Sequence, residues 1–76
     1  MKKAVTYGRF IVADPKVCHG KLTFKGTRIF VADVLDMVAQ GNTWEYIIEQ
    51  WHGNITHDAI SEAVMLGKEA LFIKVR

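Results

Sequence analysis

Residues 14–31 read DPKVCHGKLTFKGTRIFV, and they join a basic N-terminal part to an acidic helical part. Within this stretch Lys21-Leu22-Thr23-Phe24-Lys25 alternates with period two. That predicts a strand with Leu22 and Phe24 on one face and Lys21, Thr23 and Lys25 on the other. Gly26-Thr27 breaks the run, because glycine takes positive φ without steric cost. Arg28-Ile29-Phe30 reads as a short extended exit, and Lys16 to Gly20 as a loop. Asp14-Pro15 closes an earlier extended segment, since proline lacks a donor and biases the residue before it away from helix. That segment, VTYGRFIVA from Val5 to Ala13, is mostly apolar or β-forming and reads as one strand. The expectation is a small sheet that helices or a second chain must cover.

Past residue 30 the period changes to that of helices. Val31, Val34, Leu35 and Val38 fall at i, i+3, i+4 and i+7, with Gly41 where a C-terminal cap belongs. Asn42 is placed to cap the next helix, with Glu45 three residues on. Trp44, Ile47, Ile48 and Trp51 repeat the spacing, and His52-Gly53-Asn54 is a breaker. Thr56 is placed to cap a third helix, whose first turn holds Asp58 and whose expected buried stripe is Ile60, Ala63, Val64 and Gly67. Leu71 to Arg76 suits either an extension of that helix or a strand.

At 76 residues the chain is expected to be a single domain (1–76), with a basic β part over 1–30 and a three-helix part over 31–70. A chain of this size buries only about 60% of the surface its unfolded form exposes, so added support is expected. The lone cysteine, Cys18, leaves no intramolecular disulfide and points to a reducing, cytoplasmic setting, with self-association as the support. No run approaches the roughly 18 apolar residues of a membrane span, so no membrane partner is expected.

The formal net charge of +2 hides a strong asymmetry. Residues 1–30 carry Lys2, Lys3, Arg9, Lys16, Lys21, Lys25 and Arg28 against Asp14 alone. Residues 31–66 carry Asp33, Asp36, Glu45, Glu49, Asp58 and Glu62 with no Lys or Arg. Such a split suggests two faces with different partners, or two subunits meeting basic part to acidic part.

Three helices joined by short turns are compatible with a helix-turn-helix unit in which the third helix takes the recognition position. The early exposed candidates on that helix are His57, Asp58, Ser61 and Glu62, and carboxylates near phosphates repel. DNA affinity comes mostly from Lys and Arg neutralising phosphates. The nucleic-acid-binding candidates are therefore led by Lys21, Lys25 and Arg28, joined by Lys2, Lys3 and Arg9, with His57 and Ser61 as secondary contacts.

The run VADPKVCHGKLTFKGTRIFVADVLDMVAQGNTWEYIIEQW, followed by THDAISEAV, resembles the "domain of unknown function 433" family over roughly residues 7–66. The matching features are Asp14-Pro15, Gly20-Lys21, Gly26-Thr27-Arg28-Ile29, the helix closed by Gly41, and Thr56 opening the last helix. The family commonly has proline where Leu22 and Phe30 stand, and Asp-Tyr-Pro where this chain has Gln50-Trp51-His52-Gly53. The resemblance implies a homeodomain-like helix-turn-helix protein of the VapB-type antitoxin kind, encoded beside a PIN-like ribonuclease toxin. It also implies that the partners are DNA and such a toxin, beside the second copy of the chain already expected from its small size.

Catalytic and metal chemistry find little in these residues. His52 and His57 are five apart across a glycine turn, unlike an i, i+4 helical pair, and a closed zinc site wants more than one cysteine. Cys18 beside His19 is no dyad by adjacency. Neither GxGxxG nor GxxxxGK[ST] is present, and no paired carboxylates sit in an obvious apolar pocket. The expected protein is α+β, with a small N-terminal antiparallel β element followed by a three-helix homeodomain-like helix-turn-helix unit. It is expected to be no enzyme, to need no cofactor or metal, and to act as an antitoxin-like DNA-binding regulator. The alternative is a protein-interaction module or structural homodimer without DNA binding.

Overall fold

The structure, a computed structural model, describes residues 3–75, with side chains described through Ala70. Strands β1 (Val5–Tyr7), β2 (Ile11–Ala13) and β3 (Leu22–Phe24) form an antiparallel sheet in the order β1-β2-β3. Helices α1 (Val31–Ala39), α2 (Trp44–Gln50) and α3 (His57–Val75) follow. The α+β class and the order of its parts are as expected, and α3 continues as helix through Val75.

The N-terminal segment differs from the single strand expected over Val5–Ala13. It folds back at Gly8-Arg9-Phe10 into a hairpin, in the register Val5↔Ala13, Thr6↔Val12, Tyr7↔Ile11. Gly8 sits at φ +77, in the left-handed region that costs a residue with a Cβ about 1–2 kcal/mol. The turn is held from far away. The Glu62 carboxylate on α3 accepts the backbone N–H of Arg9 at 2.9 Å and of Phe10 at 2.8 Å. A Cβ on Gly8 would lie 2.6 Å from Glu62 Cδ, so only glycine lets the chain approach this closely. Glu62, expected on the exposed surface of the third helix, is half-buried at this contact.

Register places Ile11 opposite Phe24, and both are buried on the sheet face that meets the helices. They join Val31 and Val34 of α1, Ile47 of α2, Ile55, and Ala59, Ile60 and Ala63 of α3 in one core. Each large apolar side chain so buried contributes roughly 1.5–3 kcal/mol. Helix α1 packs against α2, α3 and β3, and α3 also touches β2, so α1 and α3 form the floor beneath the sheet.

The two alternating faces expected for this strand do not divide into buried and exposed. Thr23, which alternates with Lys21 and Lys25, is fully buried, while Leu22, on the face of Phe24, is 44% exposed. The isolated bridge from Thr23 to Phe30 covers the outer side of β3, whereas the core ends before it reaches Leu22. On α3 the buried residues are Ala59, Ile60 and Ala63, with Val64 half-buried and Gly67 exposed, so the stripe sits nearer the N-terminus than expected.

The helix ends follow from local chemistry. Gly41 (φ +88) donates its N–H to Val38 O and ends α1. Thr43, not Asn42, caps α2: its hydroxyl accepts Tyr46 N–H at 3.1 Å, while Asn42 donates its amide to Met37 O. Thr56 caps α3 by accepting Ala59 N–H at 3.1 Å. His52 (φ 58) and Gly53 (φ 74) turn the chain between α2 and α3.

Candidate nucleic-acid interface

The segment from Phe24 to Ile29 is a turn whose parts divide cleanly between geometry and surface. Gly26 takes φ +80 with open space around its Cα. The Thr27 hydroxyl donates to Phe24 O at 2.8 Å and accepts Ile29 N–H at 3.0 Å, while Phe24 N–H donates to Ile29 O at 3.0 Å. Lys25 N–H donates to Phe10 O at 2.7 Å, which ties this turn to the β1–β2 turn. With glycine and threonine committed to the backbone, Lys25 and Arg28 are the exposed residues left to meet a partner.

Both cations border one shallow groove of about 470 Å³ on the sheet face opposite the helices. Its lining runs across all three strands through the register-matched row Thr6, Val12 and Thr23. Asp14 and Val17 close one side, and Gly26 and Thr27 the other. Asp14 is the one carboxylate among these residues, and its Oδ1 accepts Lys16 N–H at 2.9 Å in a local turn. The Thr23 hydroxyl lies in this lining fully buried and without a hydrogen-bond partner. Such a group carries a desolvation cost of roughly 1–3 kcal/mol. Two cations and one locally engaged carboxylate leave the groove suited to an anion such as a phosphate.

The remaining candidates are dispersed. Lys21 borders a different groove, with Leu22, Phe30, Val31 and Leu35, and its Nζ lies 5.6 Å from the Phe30 ring centroid. Lys3 borders a third groove beside Pro15 and His19, and Lys2 lies outside the described residues. Arg9 is at the hairpin tip, its guanidinium 5.3 Å from the Phe10 ring centroid. His57 is exposed, but its ring rests 4.5 Å from that of Trp44, which commits it to the α2–α3 junction. Ser61 is exposed one position before Glu62, where the hairpin docks.

That docking has a steric consequence for α3. In a helix-turn-helix complex the first turns of the recognition helix enter the major groove. Here the β1–β2 turn occupies the Glu62 side of those turns, a contact with no local signature because its partners are 52 and 53 residues apart. Thr23 and Asp14 were likewise absent from the expected site. Asp14 was legible as the residue before Pro15, whereas nothing in an alternating strand marks Thr23 as the buried member. On α1 and α2 Asp33, Asp36, Glu45 and Glu49 are all exposed, with Asp33 bordering the same groove as Lys21. Among the described residues no group of three or more His, Cys, Asp and Glu side chains is placed to hold a metal ion. No helix there is long and apolar enough to cross a membrane.

The family model described as "Protein of unknown function (DUF433)" matches residues 11–65, and the chain belongs to that family. The match begins at β2, leaving β1 and the hairpin tip outside it, and spans the groove-lining turn and all of α1 and α2. No curated protein and no solved structure matches the chain.

Proposed function

Taking membership of the DUF433 family as the premise, we propose that this chain is an antitoxin-like DNA-binding regulator of a type II toxin-antitoxin pair. It acts as a homodimer in the cytoplasm and grips the phosphate backbone through the sheet rather than through α3. The observation that carries this reading is the convergence of Lys25 and Arg28 on one groove whose one carboxylate is engaged locally. Cations so placed neutralise phosphates and release counterions, which supplies most of the affinity for a duplex. Ser61 and His57 are peripheral in this reading, because the hairpin and Trp44 crowd the start of α3.

The toxin partner is assigned to the opposite charge. The exposed carboxylates of α1 and α2 suit a basic protein such as a PIN-like ribonuclease, and the half-exposed apolar groove at Leu22, Phe30 and Leu35 stands beside Asp33. The same groove favours the second reading, a protein-interaction module without DNA binding.

The test is fluorescence anisotropy with duplex DNA from the region upstream of the gene, titrated over salt. The expected outcome is binding that weakens steeply with salt and is lost when Lys21, Lys25 and Arg28 are all changed to Glu. Unchanged affinity in that triple variant refutes the sheet-led mode. Co-purification with the product of a neighbouring gene, with no DNA binding by the wild type, selects the second reading.

A further inference from the structure

The two edges of the sheet are finished differently. The β3 edge is covered, because Phe24 N–H donates to Ile29 O and Thr23 bridges to Phe30. The β1 edge has no such cover: β1 ends the sheet, and among the described residues β2 is its one pairing partner. Val5, Thr6 and Tyr7 are all exposed, with Val5 at 50% and Tyr7 at 43%. Proteins usually guard a bare edge by keeping its strand very short, or with lysine, proline, a bulge or a covering segment. Of these, among the described residues, β1 has only its three-residue length, which β2 and β3 share. From Ala4 to Gly8 this strand has no charge and no proline, and it carries a β-branched and aromatic run, Val-Thr-Tyr.

We propose that β1 pairs antiparallel with β1 of a second copy, on a two-fold axis at Thr6, to make one six-stranded sheet. The inference rests on the DNA-binding reading for the use of the joined surface, and on the edge itself for the pairing. Centring on Thr6 matches all three residues, so that Val5 faces Tyr7 of the second copy and Thr6 faces its counterpart. A one-residue slip would oppose side chains of different faces, and a two-residue slip would leave part of each strand unmatched. Val5 with Tyr7 is a β-branched and aromatic cross-strand pair, a combination that stabilises sheets. It buries two of the large exposed apolar side chains of each copy, which a domain of this size otherwise leaves in water.

The pairing also completes the groove. Ala4 and Thr6 line it alongside Lys25 and Arg28, so each copy's groove runs from its cationic turn to the bare edge. Joined at that edge, the two grooves become one face with a cationic turn at each end. The two β3 strands stand about 24 Å apart, five strand spacings of about 4.8 Å. A single copy offers half of this surface.

The experiment is multi-angle light scattering of the full chain at micromolar concentration without DNA. Circular dichroism runs alongside it to confirm that every variant is folded. The wild type is expected at twice 8.6 kDa. Changing both Val5→Glu and Tyr7→Glu places like charges across the axis and is expected to halve the mass. Changing Val5→Lys with Tyr7→Glu places opposite charges face to face and is expected to keep the dimer. A monomeric wild type, a dimeric double-Glu variant or a monomeric Lys/Glu variant each overturns the pairing. Because DNA is absent, failure here is distinct from failure of the DNA-binding reading, which the Lys21, Lys25 and Arg28 variant tests separately. A wild-type dimer that binds no DNA keeps the pairing and removes the use assigned to it.

Discussion

Glu62 Oε1 accepts the backbone N–H of Phe10 at 2.8 Å, fifty-two residues away along the chain, while Oε2 accepts that of Arg9. One carboxylate on a helix thereby caps the turn of a β-hairpin and sets the hairpin's angle to the body of the fold. A carboxylate accepting two backbone donors makes hydrogen bonds stronger than neutral ones.

Glu62→Ala leaves both donors without this partner. Bonds of this kind contribute roughly 1.5–3 kcal/mol each, and water recovers part of the loss at a half-buried site. The expected cost is about 3 kcal/mol in urea denaturation, with Glu62→Gln losing less because its amide oxygen retains one acceptor. Hydrogen exchange should show the loss concentrated in β1 and the turn. A variant within 0.5 kcal/mol of wild type, as is usual for substitutions on an open surface, would show that the carboxylate holds nothing.

Gly8→Ala combines a strained backbone with a collision. Left-handed φ alone costs about 1–2 kcal/mol, and the new Cβ displaces the Glu62 carboxyl. Combined with Glu62→Ala the two losses should be less than additive, since each removes the same contact. A double-mutant cycle reads this directly, and strict additivity would refute the coupling.

Thr23→Val is expected to stabilise the protein. The hydroxyl is buried without a partner, and valine has nearly its shape. A gain of about 1 kcal/mol would raise Tm by roughly 4–8 °C in a domain of this size. A loss of stability would mean that the hydroxyl has a partner in solution.

Lys25→Ala with Arg28→Ala should reduce the slope of log K against log salt by about one per cation removed, with affinity falling on all sequences alike. Ser61→Ala should leave both affinity and slope unchanged. A large loss of sequence preference in Ser61→Ala would move the readout back to α3.

Thr43→Ala and Thr56→Ala should each cost about 1 kcal/mol in thermal denaturation, and Thr43→Asp should retain most of the stability. Equal stability of Thr43→Ala and wild type would return the α2 cap to Asn42.

Much of the architecture was legible because it is written in local patterns. The i, i+3, i+4 stripes of α1 and α2, Gly41 beyond α1, Thr56 before α3 and Gly26 in the β3 turn all act within a few residues of themselves. The basic turn was equally legible, since Gly26 and Thr27 shape the backbone and leave Arg28 exposed. The α2 cap expected at Asn42 lies one residue further on, because Met37 O holds the Asn42 amide and the Thr43 hydroxyl accepts Tyr46 N–H instead.

The sequence by itself determined the class of the fold, the order of its parts, the C-terminal end of α1, the cap of α3 and the division of charge along the chain. Those follow from periodicity, capping and charge, which need no knowledge of what lies across the molecule. Tertiary structure alone decided that Val5–Ala13 is a hairpin, that Thr23 is buried while Leu22 is exposed, and that Lys21 stands apart from Lys25 and Arg28. Each of these depends on a partner distant in sequence or on which side of a strand is covered. An alternating strand has the same pattern whichever of its faces the rest of the chain comes to rest upon.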